Sequence, residues 1–169
     1  TLYGRDSAGR VTQVTQSGAT GNAITQLNYD TEGGLQIVDA LGGIQSILFN
    51  GDGLISRITN QLGDITTVQR DSAGNIVKVT RPDNTAVTSQ FDRLGRLIST
   101  TSAAGSTLKL AYSGDTPRVS SLKDANGNLT QFNYDNNGLL SGIRHADDSV
   151  QAFSFDADGQ LICQVSRKG

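Results

Sequence analysis

The residues whose types and spacing come closest to a chemical site are acidic segments that lead to a glycine. Asp156-Ala157-Asp158-Gly159, Asp124-Ala125-Asn126-Gly127-Asn128 and Asn50-Gly51-Asp52-Gly53 each bring several oxygen atoms together, as calcium loops do. A calcium ion needs about six to eight oxygen ligands, and an EF-hand loop supplies a bidentate Glu at its twelfth position. Counted from Asp156, that position is Arg167. The segments therefore favour turn formation over cation binding, and we predict no metal site and no cofactor.

The nucleophilic and acid–base side chains are isolated from one another. His145 is the only histidine, and it lies near Asp147 and Asp148. A catalytic triad needs Ser, His and Asp to converge, and the sequence contains no nucleophile elbow. Cys163 is the only cysteine, so no internal disulfide can form. We interpret His145 as a solvated turn residue and Cys163 as a small strand residue, and we predict that the chain is not an enzyme.

The charge pattern excludes several kinds of partner. The formal net charge is -2, so the chain shows no basic footprint for nucleic acid or an anionic membrane. No stretch approaches the roughly 18 apolar residues of a transmembrane helix, and no signal peptide is present. Arg93 and Arg96, or Lys109, are candidates for small anion-binding spots, but we interpret them as residues of solvated strand faces.

Most of these candidate residues belong to one sequence motif that recurs along the chain. A marker residue is followed by Asp or Asn, then by two residues, a glycine and an apolar run. The markers are Arg5, Tyr29, Phe49, Arg70, Phe91, Tyr112, Tyr134 and Phe155, at intervals of 20 to 24 residues. Tyr112 leads to Thr116 instead of a glycine, which predicts a different turn around Gly114–Pro117. The predicted structural residues of the repeat are Tyr29, Asp30, Gly33, Phe49, Gly53, Asp71, Gly74, Phe91, Asp92, Gly95, Tyr112, Tyr134, Asp135, Gly138, Phe155, Asp156 and Gly159.

Each interval reads as one β-hairpin of about 21 residues. A second turn lies near its middle, as at Asn126-Gly127-Asn128, and Gly, Asn and Asp tolerate the positive φ that two-residue hairpin turns require. The runs between turns are rich in Val, Ile, Thr and aromatic residues, and no helical periodicity is present. We predict an all-β fold, with about eight tandem hairpins over residues 1–169 in one long antiparallel sheet. A twisted open sheet rarely exceeds ~10 strands without coiling, so we expect this one to curve or spiral.

Two further details of the repeat concern the strand after the turn and the longest interval. After the turn glycine, apolar residues favour the second and fifth places, as at Leu140 and Ile143, and these places face opposite sides of a regular strand. Either a β-bulge or partial burial of both faces accounts for the pattern. The longest interval contains Gly18-Ala19-Thr20-Gly21-Asn22, which predicts a lengthened turn.

The recurring motif has a structural interpretation. Stacked hairpins bring successive Tyr and Phe side chains into register, where each buries up to ~150–250 Å². The following Asp or Asn accepts hydrogen bonds from backbone amides two residues on, and the glycine permits the turn. Arg5 and Arg70 interrupt this aromatic ladder, but their aliphatic stems can still stack.

These residues resemble the YD-repeat, or Rhs-repeat, family, whose signature is Tyr-Asp, two residues, Gly-Arg-Leu and a hydrophobic strand. The best matches run from Tyr134 to Leu140, from Phe91 to Leu97 and from Tyr29 to Leu35. The resemblance implies hairpin ribbons that spiral into a hollow shell, which encloses a toxic domain in bacterial toxin complexes and Rhs effectors and serves adhesion in teneurins.

The chain departs from that family in two ways. It contains no Asp-Pro, since Pro82 precedes Asp83 and Pro117 follows Thr116. We therefore expect it to lack the self-cleaving core and the toxin. Its repeats are also too few to close a shell. Because it starts on Thr1, contains no Met and ends on Gly169 part-way through a repeat, we expect a processed product or a piece of a longer chain.

The resemblance implies a function and a location. We expect a non-enzymatic segment of a shell that encloses or scaffolds a toxin or effector domain in a large secreted or cell-surface protein. Its partners are then the remaining repeats and the enclosed domain, with self-association through edge strands. The alternative is an adhesion module that binds carbohydrate or another partner. A sugar site needs exposed aromatic rings, so solvent-exposed Tyr29 or Tyr112 would favour that alternative.

Overall fold

The computed structural model describes residues 1–19, 21–31 and 33–168, and these residues form sixteen β-strands and no helix. No helix among them is long and apolar enough to cross a membrane. The strands are β1 Leu2–Arg5, β2 Val11–Gly18, β3 Gly21–Tyr29, β4 Gly34–Val38, β5 Ile44–Phe49, β6 Ile55–Thr59, β7 Ile65–Arg70, β8 Ile76–Thr80, β9 Ala86–Phe91, β10 Leu97–Thr101, β11 Thr107–Tyr112, β12 Val119–Lys123, β13 Leu129–Tyr134, β14 Leu140–Arg144, β15 Val150–Phe155 and β16 Leu161–Arg167.

The strands form one sheet in which strand order follows chain order from β1 to β16. Each strand therefore pairs only with its neighbours along the chain, which confirms the predicted all-β class and the antiparallel hairpin repeat. The chain divides into two compact units. Unit 1 comprises Thr1–Asp71 with Lys78–Ala86, and unit 2 comprises Ser72–Val77 with Val87–Gly169.

Two kinds of turn alternate along the chain. Marker turns follow the odd-numbered strands and return turns follow the even-numbered ones. In the marker turn at Asp92 the Gly95 amide donates to the Asp92 carbonyl at 3.0 Å, and the return turn at Ser102 repeats this bond from Gly105. Both glycines have positive φ, 75° and 83°. Each is a type I turn with one left-handed residue after it, so the expected two-residue hairpin turn is wrong.

A β-bulge explains the places of the apolar residues after the turn. Tyr134 pairs with Leu140, but the preceding Asn133 pairs with Gly142, so one residue of β14 has no partner in β13. Leu140 and Ile143 therefore share a face. The same shift follows five other markers: Arg5, Phe49, Phe91, Tyr112 and Phe155. The β3–β4 hairpin has no shift. Of the two alternatives, the bulge is the correct one in six hairpins.

The sheet has an apolar face without a second layer over it. In β13, Thr130, Phe132 and Tyr134 are half-buried on one face, whereas Gln131 and Asn133 are exposed on the other. Among the described residues no hydrophobic side chain is fully buried. The described strands contact only strands that neighbour them along the chain, so no second layer packs on this face. The aromatic markers end their strands half-buried: Tyr29, Phe49, Phe91, Tyr112, Tyr134 and Phe155.

The longest interval differs from the prediction. β2 extends to Gly18 and β3 starts at Gly21, and these two residues face each other. The added residues therefore lengthen the two strands and not the turn. Thr20 of the predicted turn lies outside the described residues. The longer pairing adds backbone hydrogen bonds to a hairpin near the edge of the sheet.

Asn84 tests the backbone requirement of the return turn. It holds a φ of 63°, a left-handed conformation that costs an ordinary L-residue roughly 1–2 kcal/mol. We expect Asn84→Ala to lower the free energy of unfolding by about 1 kcal/mol, and Asn84→Gly to keep or raise it. Urea denaturation measures both. Ala103→Gly is the control, because Ala103 has no positive φ, so glycine should destabilise there. An Asn84→Gly variant less stable than Asn84→Ala would contradict the prediction.

Candidate functional site

The Asp or Asn that follows a marker organises the backbone of its turn. Asp92 Oδ1 accepts the Leu94 amide at 2.9 Å and the Arg96 amide at 3.0 Å. Asp135 Oδ1 binds the equivalent amides of Asn137 and Leu139. Equivalent pairs occur at Asp6, Asn50 and Asp156. These oxygens accept hydrogen bonds from turn amides that have no partner in a neighbouring strand. Asp and Asn commonly provide this hydrogen bonding in turns.

Sequence reasoning missed the same chemistry in three return turns. Asp39 Oδ1 accepts the Leu41 and Gly43 amides, both at 2.8 Å. Asn60 and Asp124 repeat the arrangement. The spacing of an Asp or Asn three residues before a glycine was the available signal, and it is the same spacing as in the marker turns.

The contact that joins one repeat to the next is made by an arginine directly after the marker turn. Arg96 Nε donates to Asp92 Oδ2 at 2.7 Å within its own turn. Its Nη1 reaches the following marker turn and donates to the Gly114 carbonyl at 2.8 Å and to the Thr116 carbonyl. The guanidinium also lies over the Tyr112 ring, 4.4 Å from its centroid. We call this arrangement an arginine clamp.

Two further arginines stack on the next tyrosine marker as Arg96 does, and we include them among the clamps. Arg10 bonds to Asp6 at 2.7 Å and lies 4.5 Å from the centroid of the Tyr29 ring. Arg118 lies 6.0 Å from the centroid of Tyr134 and against Gly138, where any Cβ would collide with the guanidinium. Each tyrosine hydroxyl donates back to a carbonyl at the start of the preceding strand. The partners are Val11 for Tyr29, Leu97 for Tyr112 and Val119 for Tyr134, at 2.8 to 3.0 Å.

Arginine and tyrosine occur together in the repeats. Each tyrosine marker follows a repeat that has an arginine directly after its marker turn. The tyrosines are Tyr29, Tyr112 and Tyr134. The other markers, Phe49, Arg70, Phe91 and Phe155, follow repeats with Gly34, Leu54, Asn75 and Leu139 at that place. The interpretation of Arg96 as a solvated strand residue is wrong, because its side chain is only 19% exposed. The signal available in the sequence was a turn arginine 16 to 19 residues before a tyrosine.

The remaining predicted residues are distributed along the edges and do not converge. Phe49, Phe91 and Phe155 end their strands half-buried, and Asp71 lies between β7 and β8. Asp30 Oδ1 accepts the Gly34 amide at 2.5 Å. The turn glycines have positive φ: Gly33, Gly53, Gly74, Gly95, Gly138 and Gly159.

The other chemical candidates are also separate from one another. His145 is half-buried in a return turn, Cys163 is exposed on β16, and Lys109 lies opposite Lys123. Arg93 forms an exposed ion pair with Asp115 at 2.6 Å. Within the described residues no three His, Cys, Asp or Glu side chains form a group that could hold a metal ion. The organised chemistry of the chain is therefore the series of turns and clamps.

Contacts in several turns lower the pKa of an aspartate and so favour its charged form. The Arg96 guanidinium is the main cause that keeps the pKa of Asp92 below its ordinary value. The Gly43 amide is the first cause of the lowered pKa of Asp39. The pKa is lowered by similar contacts in Asp6, Asp83, Asp124 and Asp147. The charged form of these residues is therefore part of the folded structure.

Comparison with known proteins identifies a matching family model and several similar solved structures. The family model described as Teneurin YD-shell matches residues 5–168. No curated protein matches the chain. A crystal structure of TcdB2-TccC3-Cdc42 is 15% identical with a TM-score of 0.35, over 96% of this chain and 14% of that one.

Two other solved structures are similar at the same level. A Tc holotoxin pore from Photorhabdus luminescens carrying the mutation TccC3-D651A is 14% identical with a TM-score of 0.31, over 96% of this chain and 15% of that one. A porin-like protein from Bacteroides uniformis is 10% identical with a TM-score of 0.35, over 97% of this chain and 86% of that one. The chain spans a small part of the toxin-complex chains.

Arg96 and Arg93 form a matched pair for testing the clamp. Arg96→Ala removes a contact to a carboxylate, two bonds to carbonyls and a ring contact, so we expect the free energy of unfolding to fall by about 2 kcal/mol. Arg93→Ala removes only an exposed ion pair, so we expect a change below about 0.5 kcal/mol. Urea denaturation of both variants measures the difference. Equal effects would show that Arg96 does not couple the repeats.

The lowered pKa of Asp92 predicts acid sensitivity. Unfolded Asp92 binds its proton at a higher pH than folded Asp92, so its stabilisation is complete above the ordinary carboxyl pKa and is lost as the pH falls through the folded pKa. We expect Asp92→Asn to have a lower Tm at neutral pH, because it loses the charge that Arg96 binds, but a smaller decrease in Tm on acidification. Thermal melting across this pH range measures both. A variant with the wild-type acid dependence would contradict the assignment.

Proposed function

The chain belongs to the Teneurin YD-shell family, and we propose that it is a non-enzymatic wall segment of such a shell. The observation that supports this role is the single-layered sheet. Every strand pairs only with its chain neighbours, and clamps join consecutive repeats. Stability of this kind grows by adding repeats, which suits a wall. Among the described residues no three His, Cys, Asp or Glu side chains form a group that could hold a metal ion.

The enclosed content is an effector or toxin domain, and the apolar face of the sheet lines its chamber. Phe132, Tyr134 and Ile143 share this face and are half-buried in the absence of a second layer. An apolar sheet face must be kept from water by some other surface. The polar face, with Gln131 and Asn133 exposed, suits the solvent side. Secretion or display at the cell surface follows from this role.

The partners of the chain are further repeats. β1 and β16 each pair with a single strand, so each has an edge of unpaired backbone groups. On β16, Leu161 and Ile162 are 53% and 65% exposed. We extend the proposal to pairing of these edges with repeats of the same kind, or with a second copy of the chain when it is isolated.

The contacts of the tyrosines favour the wall over a carbohydrate-binding module. The rings of Tyr29 and Tyr112 each have one face covered by a guanidinium, and their hydroxyls are bonded to backbone carbonyls. A sugar stacks on an uncovered aromatic face. The clamp uses the ring surface and the hydroxyl that such a site would need.

Photocrosslinking from the two faces of β13 tests which side encloses the effector. In the full-length gene product, benzoylphenylalanine replaces Phe132 on the apolar face or, as the matched control, Gln131 on the polar face. We expect residue 132 to crosslink to an enclosed polypeptide and residue 131 to give no such product, read by mass spectrometry. Crosslinks from residue 131 alone, or equally from both, would overturn the proposed orientation.

A further inference from the structure

One repeat lacks the side chain that forms the clamp, and a groove lies at that place. The groove belongs to unit 1 and has a volume of about 430 Å³. It runs between the marker turn at Asp30 and the next marker turn at Asn50. Of the described residues, those that line it are Arg10, Tyr29, Asp30, Gly33, Gly34, Phe49, Asn50, Gly51 and Gly53.

The groove exists because Gly34 follows the marker turn where Arg96 and Arg10 stand in other repeats. Gly34 is buried beneath the Asp30 carboxylate, whose Oδ1 accepts the Gly34 amide at 2.5 Å. Glycine has no side chain to reach the next repeat. Position 34 therefore supplies no guanidinium to Phe49, the marker of that next repeat, whereas position 96 supplies one to Tyr112.

Each partner of the Arg96 guanidinium has a counterpart, by sequence position, among the residues that line the groove. Asp30 occupies the place of Asp92, and Phe49 the place of Tyr112. Arg96 donates to the carbonyls of Gly114 and Thr116, two and four residues after the marker. Two and four residues after Phe49 are Gly51 and Gly53, and both line the groove. The Phe49 turn has its left-handed residue at Gly53, whereas the longer Tyr112 turn has it at Gly114.

We propose that this groove binds an arginine side chain presented by another polypeptide. The guanidinium lies over the Phe49 ring, against the Asp30 carboxylate and the carbonyls of the Asn50 turn. Asp92 binds two backbone amides and Arg96 at once, so a carboxylate already bonded in its turn still accepts a guanidinium. A planar guanidinium stacks on a ring while donating in its own plane, which an ammonium cannot do.

The charges around the groove suit a cation. Arg10 lines one end, but it is paired with Asp6 at 2.7 Å and covers the Tyr29 ring. The Asp30 carboxylate lines the middle, and Asp52 belongs to the turn on the other side. The local excess of negative charge adds to the ring contact. This binding does not depend on the role of the chain in a shell.

The test uses blocked arginine as the probe and NMR of the isotope-labelled chain as the readout. N-acetyl-arginine amide should shift the amide signals of Phe49, Gly51 and Gly53 in a saturable way. N-acetyl-lysine amide should bind more weakly, and the neutral isostere N-acetyl-citrulline amide should not bind. Equal shifts from arginine and citrulline, or shifts away from this groove, would overturn the proposal.

Filling the groove from within the chain gives a second test. Gly34→Arg places a Cβ in collision with the present position of Asp30 Oδ2, so the carboxylate must turn aside while the new side chain enters the groove. We expect this variant to weaken the probe by at least about tenfold, the effect of losing one ring contact and one charged hydrogen bond. Gln160→Arg places the same charge after another marker turn and should leave binding unchanged. Equal weakening by both, or none by Gly34→Arg, would contradict the site. If Gly34→Arg does not fold, the arginine–citrulline comparison in the unaltered chain decides the question.

Discussion

The structure depends on lateral contact between neighbouring repeats, because a sheet of one layer has no core to hold it. Most domains stabilise their strands by packing two layers together. Here no described hydrophobic side chain is fully buried, so each hairpin is stabilised by the hairpins on either side. Backbone pairing supplies one part of this contact. The turns supply the other, since Arg96 connects the carboxylate of its own turn to the carbonyls and ring of the next.

The clamp explains why arginine and tyrosine occur together. Arginine stacks on a ring and donates several hydrogen bonds in its plane, so it binds a carboxylate, carbonyls and an aromatic face at once. Tyrosine adds a hydroxyl that returns to the preceding repeat, as Tyr112 does to Leu97. A repeat with phenylalanine lacks this bond. The interfaces along the array are therefore unequal, and segments with fewer contacts open at lower free energy than clamped ones.

The sequence predicts the strands well because their signals are local. Turn residues at fixed intervals and β-branched runs give the number and direction of the strands, and the Asp-to-Gly spacing gives the marker turns. The clamps were missed because they join residues such as Arg96 and Tyr112 that meet only after two hairpins have paired. The choice of a bulge after Tyr134 needed the register of two strands.

A repeated contact also shows how a wall acquires a binding site. In a globular core the loss of a side chain leaves a closed cavity that destabilises the fold. In a sheet of one layer the same loss leaves an open groove whose remaining partners are already arranged for the missing group. Gly34 removes the arginine but leaves Asp30, the Phe49 ring and the turn of Asn50 in place. The arrangement that holds an arginine of the chain at one interface between repeats therefore makes the next interface selective for a guanidinium from another molecule.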